Sequence, residues 1–392
     1  MTTGIDSLLN LDEVRGAAKR RLPRFLFDFI EGGVDGELCL RRNRAAFSNW
    51  TVLPRYLVDV SARSQSVQVF GREYAAPIGI SPMGLAGLAR PQADLMFAAA
   101  AAKRNIPYIM SSASNASIEK AARVAGSNVW FQVYPTTDER ISQDMVRRAV
   151  DAGVTTLVVT IDVPVHANRE RNRRNGFGRP LRLTPRIVFD ALLHPNWLAG
   201  FVSTRGIPMM ENWMPYAPPG ASQAVVSDLY GSLTPAPAVQ WQTLEELRRI
   251  WPHTLVVKGV LNPADAVQCA SLGADGMIIS NHGGRQLDMA PSPLQVLPAI
   301  RSAVGPAMTL MVDSGVRRGS DVILASALGA TLALVGRPML YGAAVHGEEG
   351  VLKVIDIMRR EIDLTMGQAG ICALNQLDGR SILGPEFGRA LT

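Results

Sequence analysis

The segment Ile278-Ile279-Ser280-Asn281-His282-Gly283-Gly284-Arg285-Gln286-Leu287-Asp288 concentrates side chains that can do chemistry. An imidazole exchanges a proton near neutral pH. A guanidinium three residues further on offers a planar fork of donors that matches a carboxylate. The two glycines between them let a bound ligand approach the backbone. A lone histidine is as often structural as catalytic. The pairing of His282 with Arg285 favours a base acting on a substrate that carries a carboxylate, such as a hydroxy acid. Two further loops, Asp313-Ser314-Gly315-Val316-Arg317-Arg318-Gly319 and Gly336-Arg337-Pro338, combine glycine amides with arginine, a combination suited to phosphate; the competing reading is a pair of solvated glycine turns. Lys258 follows Leu255-Val256-Val257 and fits a Schiff-base nucleophile, a phosphate contact or a charge partner for an electron-rich cofactor. Gln132, Tyr134, Thr160 and Asp162 also close apolar runs with polar groups.

These residues need a scaffold that gathers run ends at one place. Eight short apolar runs recur from Ala76 onward: Ala76–Ile80, Tyr108–Met110, Val129–Gln132, Thr156–Thr160, Leu255–Val257, Gly276–Ile279, Thr309–Val312 and Leu332–Val335. Between them lie helical patterns over Gln92–Lys103, Ile118–Ala125, Glu139–Ala152, Asn262–Leu272, Ser292–Ala303 and Gly319–Leu328. Strands apolar on both faces, joined by crossover helices, imply a parallel sheet. Eight of them predict a closed (β/α)8 barrel, with chemistry at the C-terminal ends and a phosphate site after strands seven and eight. A doubly wound open sheet is the alternative, but no GxGxxG follows a first strand. Ahead of the barrel, residues 10–48 predict short helices, the first capped by Asp12 and the second opened by Pro23.

The rhythm breaks after the fourth run, where over 90 residues separate Thr160 from Leu255. The 392 residues therefore read as a single domain, with a barrel core over about 76–365 and an insert over about 176–240. Val163–Arg186 holds seven arginines against one glutamate, and Ile187–Thr204 then carries Asp190 as its single formal charge. The insert is either a lid over the barrel mouth or an interfacial element. In the second case arginines meet anionic headgroups while Ile187, Val188, Phe189, Leu192, Leu193, Trp197, Leu198, Phe201 and Val202 enter the headgroup boundary, with Trp213 close behind. No 18-residue apolar stretch predicts a spanning helix, and no apolar segment near the N-terminus reads as a signal peptide.

The net charge of +6 and pI near 9.5 suit an anionic partner. No aromatic-basic interleaving points to nucleic acid. Cys39, Cys269 and Cys372 are scattered and odd in number, which argues for a reducing compartment and against a disulfide framework or metal site.

The segment Ser280 to Asp288, with Leu22-Pro23, Asp59-Val60-Ser61, Trp130-Phe131-Gln132-Val133-Tyr134 and the Asp313–Gly319 loop, resembles the FMN-dependent (S)-2-hydroxy acid oxidases and dehydrogenases. The likeness runs from about Asn10 to Leu374 and is strongest to the membrane-bound bacterial members that act on mandelate. It implies FMN as cofactor, His282 as base, Asp162 as its partner, and Arg169 and Arg285 as carboxylate arginines. Tyr134 then lies near the substrate hydroxyl. Lys258 lies near flavin N1 and O2. Pro82, Met83, Gly84, Ser111, Gln132, Thr160 and Ser280 contact the flavin ring, and Asp313, Gly315, Arg317, Gly336 and Arg337 hold the ribityl chain and phosphate. Many members have a tyrosine before the aspartate of the Pro23-to-Asp28 stretch; Phe27, read as its counterpart, cannot donate that hydrogen bond. Gly84 and Ala113 leave room for a phenyl ring.

The expected reaction is (S)-mandelate to benzoylformate, with (S)-lactate dehydrogenation and a soluble oxygen-using oxidase as alternatives. The resemblance also implies a quinone or respiratory-chain acceptor and a homotetramer. It places the enzyme at the cytoplasmic face of a bacterial inner membrane, attached through residues about 176–215; a soluble cytoplasmic enzyme is the alternative. A Schiff-base phosphate barrel using Lys258, or a non-enzymatic scaffold, would lack the flavin.

Overall fold

The computed structural model describes residues 4–178, 181–203 and 206–384. Eight parallel strands close into a barrel: β1 (Ile78–Ile80), β2 (Tyr108–Ser111), β3 (Val129–Val133), β4 (Thr156–Thr160), β5 (Thr254–Val260), β6 (Gly276–Ile279), β7 (Thr309–Val312) and β8 (Leu332–Val335). β8 pairs with β1 to seal the ring. The expected (β/α)8 architecture is therefore what the chain forms. The crossover helices fall within about two residues of the expected limits, for example Ala93–Arg104 and Pro293–Val304. The fifth strand runs further than the apolar run suggests. It continues past Lys258 to Val260, with a register shift against β6 between those two residues.

The barrel interior explains how the site is aimed. Side chains alternate along a strand, so residues two apart share a face. Ile109, Trp130, Val158, Val256, Ile278, Met311 and Leu334 form one buried cluster inside the ring. Two residues beyond each, at the C-terminal rim, stand Ser111, Gln132, Thr160, Lys258, Ser280, Asp313 and Gly336. The same periodicity that packs the interior thus delivers polar groups to the mouth. A hairpin of Val67–Val69 and Arg72–Tyr74 plugs the opposite end. Phe70 and Tyr74 pack against Trp130, whose Nε1 donates to the Tyr74 hydroxyl at 3.2 Å.

Among the described residues three α-helices precede the barrel: α1 (Leu11–Arg21), α2 (Arg24–Glu31) and α3 (Leu38–Ser48). Asn10, not Asp12, caps α1; its Oδ1 accepts from the Glu13 amide at 2.9 Å. Pro23 does open α2. The insert between β4 and β5 contains α4 (Glu170–Arg174), α5 (Pro185–Leu192), α6 (Pro195–Ser203) and α7 (Gln223–Leu233) before the crossover helix Trp241–Ile250. Among the described residues no helix is long and apolar enough to cross a membrane.

The insert is bolted to the barrel at several points. Trp197 Nε1 donates to the Leu88 carbonyl at 2.8 Å, and Trp213 Nε1 to the Ser112 carbonyl at 3.0 Å. Asn115 Nδ2 donates to the carbonyls of Pro208 and Met209 while its Oδ1 accepts from the Gly87 amide. This corrects the expected outer face. Ile187, Trp197 and Trp213 are buried, Leu198 and Phe201 are partly covered, and only Val188, Phe189, Leu192, Leu193 and Val202 of the expected set are exposed, joined by Leu183. An indole donor buried in protein must find an acceptor, and both tryptophans find theirs on the barrel loops.

Candidate active site

The loop after β6 holds His282 in the left-handed region, with φ of 59°. Two hydrogen bonds stabilise that conformation. The His282 amide donates to Ser280 Oγ at 3.1 Å, and the Gly284 amide donates to Asn281 Oδ1 at 3.0 Å. Asn281 is in turn paired with Asn43 of α3. Gly284 also has a positive φ, and a Cβ there would lie 2.7 Å from the Leu40 amide nitrogen. A side chain at position 284 would push α3 away from the loop.

His282 Nδ1 lies 2.9 Å from Asp162 Oδ1, so Nδ1–H donates to the carboxylate and Nε2 carries the lone pair. The Tyr134 hydroxyl stands 3.4 Å from that Nε2. Lys258 Nζ donates to Ser280 Oγ at 2.8 Å and lies 3.4 Å from Asp313 and 3.9 Å from Asp162. Gly259 permits this crowding. Its φ is 106°, and a Cβ there would sit 2.5 Å from the Asp162 Cβ. Base, carboxylate and ammonium are therefore assembled from three strand ends.

The charges set one another. Burial would raise the Asp162 carboxyl, but the positive charges of His282 and Lys258 outweigh it and hold it below the usual carboxylate range. Burial would lower Lys258, but Asp313 and Asp162 outweigh it and keep the ammonium protonated. Burial pushes the His282 imidazole below its ordinary value; Asp162 offsets only part of this, and Lys258 and Arg169 add to the lowering. Once the imidazole is neutral, the Lys258 ammonium and the hydrogen bond from His282 Nδ1 still favour the Asp162 carboxylate, and a neutral imidazole beside it is the state a general base requires.

Two adjoining cavities meet at this dyad. The smaller, about 180 Å³, is lined by Pro82, Met83, Gly84, Ala113, Tyr134, Arg169, Lys258, His282, Arg285, Asp313, Gly315, Arg317, Gly336 and Arg337, among others. The larger, about 970 Å³, shares Phe29, Tyr134, Arg169, Tyr230 and His282 with it and extends under the insert. Arg169 Nη2 donates to Gln286 Oε1 at 3.2 Å. Arg285 Nη1 donates to the carbonyls of Phe29 and Gly32 at 2.9 and 2.8 Å, and its guanidinium lies over the Phe29 ring. Arg337 likewise donates to the carbonyls of Ile30, Gly32 and Gly283. The C-terminal end of α2 therefore orients two arginines.

Phe27 is placed away from the dyad. It does not line either cavity but stacks on Tyr341, with ring centroids 6.1 Å apart, and lies beneath the Arg15 guanidinium. Phe29 lines both cavities. At about 100° per residue, two positions two apart on a helix face opposite ways, so only one of these rings can reach the site. Phe177 and Tyr230 of the insert are further cavity residues that sequence reasoning missed. The i, i+4 spacing of Phe25 and Phe29 was the available signal for a shared face turned toward the insert.

The rim also fits a flavin. Both polar atoms of the Gln132 amide and Thr160 Oγ1 are buried without a hydrogen-bond partner among the described residues. Buried polar atoms of this kind demand a ligand or water, and a flavin pyrimidine ring carries matching donors and acceptors. Ser111 Oγ, at the end of β2, accepts from the Ala113 amide at 3.1 Å. Beside Gly315, whose φ is 106°, the Arg317 guanidinium is lowered from its ordinary pKa by burial and donates to the Val316 carbonyl. It forms no carboxylate ion pair within 4 Å among the described residues, which suits a phosphate.

A flavin-binding barrel with a histidine–aspartate dyad at its mouth defines a flavoenzyme class, and the comparisons agree. The chain matches the FMN-dependent dehydrogenase family over residues 18–383. It belongs to the FMN-dependent 2-hydroxy acid oxidase and dehydrogenase family and is an FMN-dependent oxidoreductase. It is 42% identical over 367 residues to (S)-mandelate dehydrogenase of Pseudomonas putida, covering 93% of this chain and 91% of that one. It is 38% identical over 373 residues to an L-lactate dehydrogenase of Caulobacter sp. strain K31, covering 95% and 97%. Among solved structures, that of the monotopic membrane protein (S)-mandelate dehydrogenase superposes with a TM-score of 0.92 at 41% identity, over 96% of this chain and all of that one.

Proposed function

We propose that this enzyme oxidises an aromatic (S)-2-hydroxy acid, foremost (S)-mandelate to benzoylformate, while attached to a membrane surface. The observation that carries the substrate reading is the small-residue contact between Gly84 and Ala113 in the wall of the smaller cavity. A Cβ at position 84 would stand 2.9 Å from the Ala113 Cβ, so glycine lets the two segments pack together, and neither puts a bulky side chain into the cavity they line. The space so left suits a phenyl ring.

Arg169 and Arg285 bind the substrate carboxylate, Arg285 being pre-aimed by the α2 carbonyls. Oxidation of the carbinol removes two electrons and two protons. His282 takes one proton at Nε2, and Tyr134 orients the hydroxyl beside it. The resulting imidazolium is stabilised by Asp162, already ionised and 2.9 Å away. Bound FMN would supply the acceptor for the electron pair and the other proton. Gln132, Thr160 and Lys258 would hold its ring, and Asp313, Gly315, Arg317, Gly336 and Arg337 its ribityl phosphate.

The membrane reading rests on the exposed apolar set Leu183, Val188, Phe189, Leu192, Leu193 and Val202. Half-exposed side chains of this size contribute roughly 1–2 kcal/mol each on entering an apolar phase, on the order of 10 kcal/mol together. The exposed arginines Arg182 and Arg186 add about 1 kcal/mol each at an anionic surface. The apolar part dominates, so attachment survives salt. A lipid-soluble quinone acceptor suits an enzyme placed there; a homotetramer has the family resemblance as its support. The test is product analysis with a dye acceptor on membranes washed at high salt. (S)-mandelate should yield benzoylformate, and detergent should release the activity. Activity confined to the soluble fraction at low salt rejects the membrane reading, and absence of benzoylformate rejects the substrate.

A further inference from the structure

The larger cavity is bounded on its outer side by an aromatic pair whose halves come from distant parts of the chain. Phe29 belongs to α2 and Phe177 to the insert, just after α4. Their rings are stacked, with centroids 4.3 Å apart and planes inclined by 22°. Both line the cavity that also contains His282, Tyr134 and Arg169. Phe177 is 7% exposed, and Phe25 stacks on it from the far side at 6.2 Å.

The pair is held in register. Asn175 Nδ2 donates to Asp28 Oδ2 at 2.7 Å, one residue before Phe29 and two before Phe177. Asp190 of α5 accepts from the Phe25 amide at 3.1 Å. Pro23 offers no side-chain oxygen to the start of α2, so the insert supplies that acceptor in place of a local cap. Arg171 of α4 forms an ion pair with Glu37 as well. The insert therefore fixes the helix that carries Phe29 and adds a ring of its own to the substrate side.

We propose that Phe177 is a specificity-determining residue: with its faces taken by Phe29 and Phe25, its edge and that of Phe29 form the aromatic wall against which the substrate's aryl group packs. The inference rests on the aryl-acid reading above and assigns it a wall. Gly84 and Ala113 line the smaller cavity, Phe177 the larger, and Phe29 both, so the aromatic pair begins where the two cavities adjoin. Aromatic pairs prefer offset or edge contacts, and the loss of one such pair with its buried area corresponds to about a tenfold change in binding. A substrate with a methyl group in place of the phenyl ring gains nothing comparable from this face. The insert is then both the attachment element and a part of the recognition site.

The test compares Phe177→Ala and Phe177→Leu with the wild-type holoenzyme. The ratio of kcat/KM for (S)-mandelate over (S)-lactate should fall about tenfold in Phe177→Ala and less in Phe177→Leu. Phenylacetate and acetate, which do not react, give a second readout through perturbation of the flavin absorption band. The preference for phenylacetate over acetate should fall by a similar factor. An unchanged ratio in both readouts overturns the proposal, as does a parallel loss for aryl and alkyl acids, which marks a structural role. Phe177→Leu keeps an apolar side chain beside Phe29, so the test survives if Phe177→Ala does not fold. If the wild-type enzyme oxidises neither acid, the reading of function fails instead, and phenylacetate binding still reports on the wall.

Discussion

Arginine serves two different ends at the barrel mouth and on the outer insert. At the mouth, Arg285 and Arg337 are held by the carbonyls of Phe29, Ile30, Gly32 and Gly283, so their donors keep fixed directions. On the insert, Arg182 and Arg186 are exposed, although Arg186 also donates to the Arg174 carbonyl and Asn175 Oδ1. Apolar residues divide the same way. Ile109, Val158, Val256 and Ile278 are wholly buried inside the ring, whereas Phe189 is 66% exposed. One region spends its side chains on holding atoms still; the other leaves them for a surface outside the molecule. Precision is built where bonds change, and stickiness where they do not.

The largest expected effect breaks the mouth. His282→Ala should keep bound FMN yet slow flavin reduction by at least ~10²-fold, because it removes the proposed proton acceptor. Near-normal reduction by substrate in that variant removes His282 from the role of base. Asp162→Asn should cost about 10²-fold as well, since the imidazolium loses its counter-charge. It carries a second signature in pH. Asp162 raises the His282 pKa, which burial has already lowered. Replacing it lowers that pKa further, so the acid limb of kcat/KM moves to lower pH while the plateau drops. A limb that moves upward contradicts the assigned pairing.

These groups were legible in the sequence because the barrel turns period-two alternation into position. Each rim residue lies two beyond an interior apolar one, as Thr160 follows Val158 and Lys258 follows Val256. The motif from Ser280 to Asp288 then marks the strand that carries His282, the proposed base. Phe29 was missed in favour of Phe27 because helix phase, not proximity to a motif, decides which ring faces the cavity. The insert was least legible. Its composition announces an apolar surface, but composition cannot separate Trp197, which donates to Leu88, from Phe189, which points outward. That distinction depends on which barrel loops lie beneath it. It also narrows the proposed attachment element to about residues 183–202, since Phe177 and Trp213 have partners in the fold.

A smaller effect separates pocket shape from chemistry. Ala113→Trp should lower kcat/KM for (S)-mandelate about tenfold more than for (S)-lactate, the scale of a filled apolar pocket. Equal losses mean that Ala113 does not face the substrate side chain. The smallest catalytic effect belongs to the outer insert. Changing Phe189, Leu192, Leu193 and Val202 together to serine should release the enzyme from membranes, with kcat/KM within about twofold of wild type, as expected for surface positions. A large loss of activity would show that the two regions are not separable in the way their packing indicates.

The central claim is that the dyad at the mouth oxidises an aromatic (S)-2-hydroxy acid through FMN. Anaerobic mixing with (S)-mandelate, (R)-mandelate and (S)-lactate tests it most directly, by the bleaching of the visible flavin band in a single turnover. Rapid bleaching by (S)-mandelate, slower bleaching by (S)-lactate and none by (R)-mandelate is the predicted result. A flavin that stays oxidised with (S)-mandelate, or that bleaches equally with both enantiomers, contradicts the account.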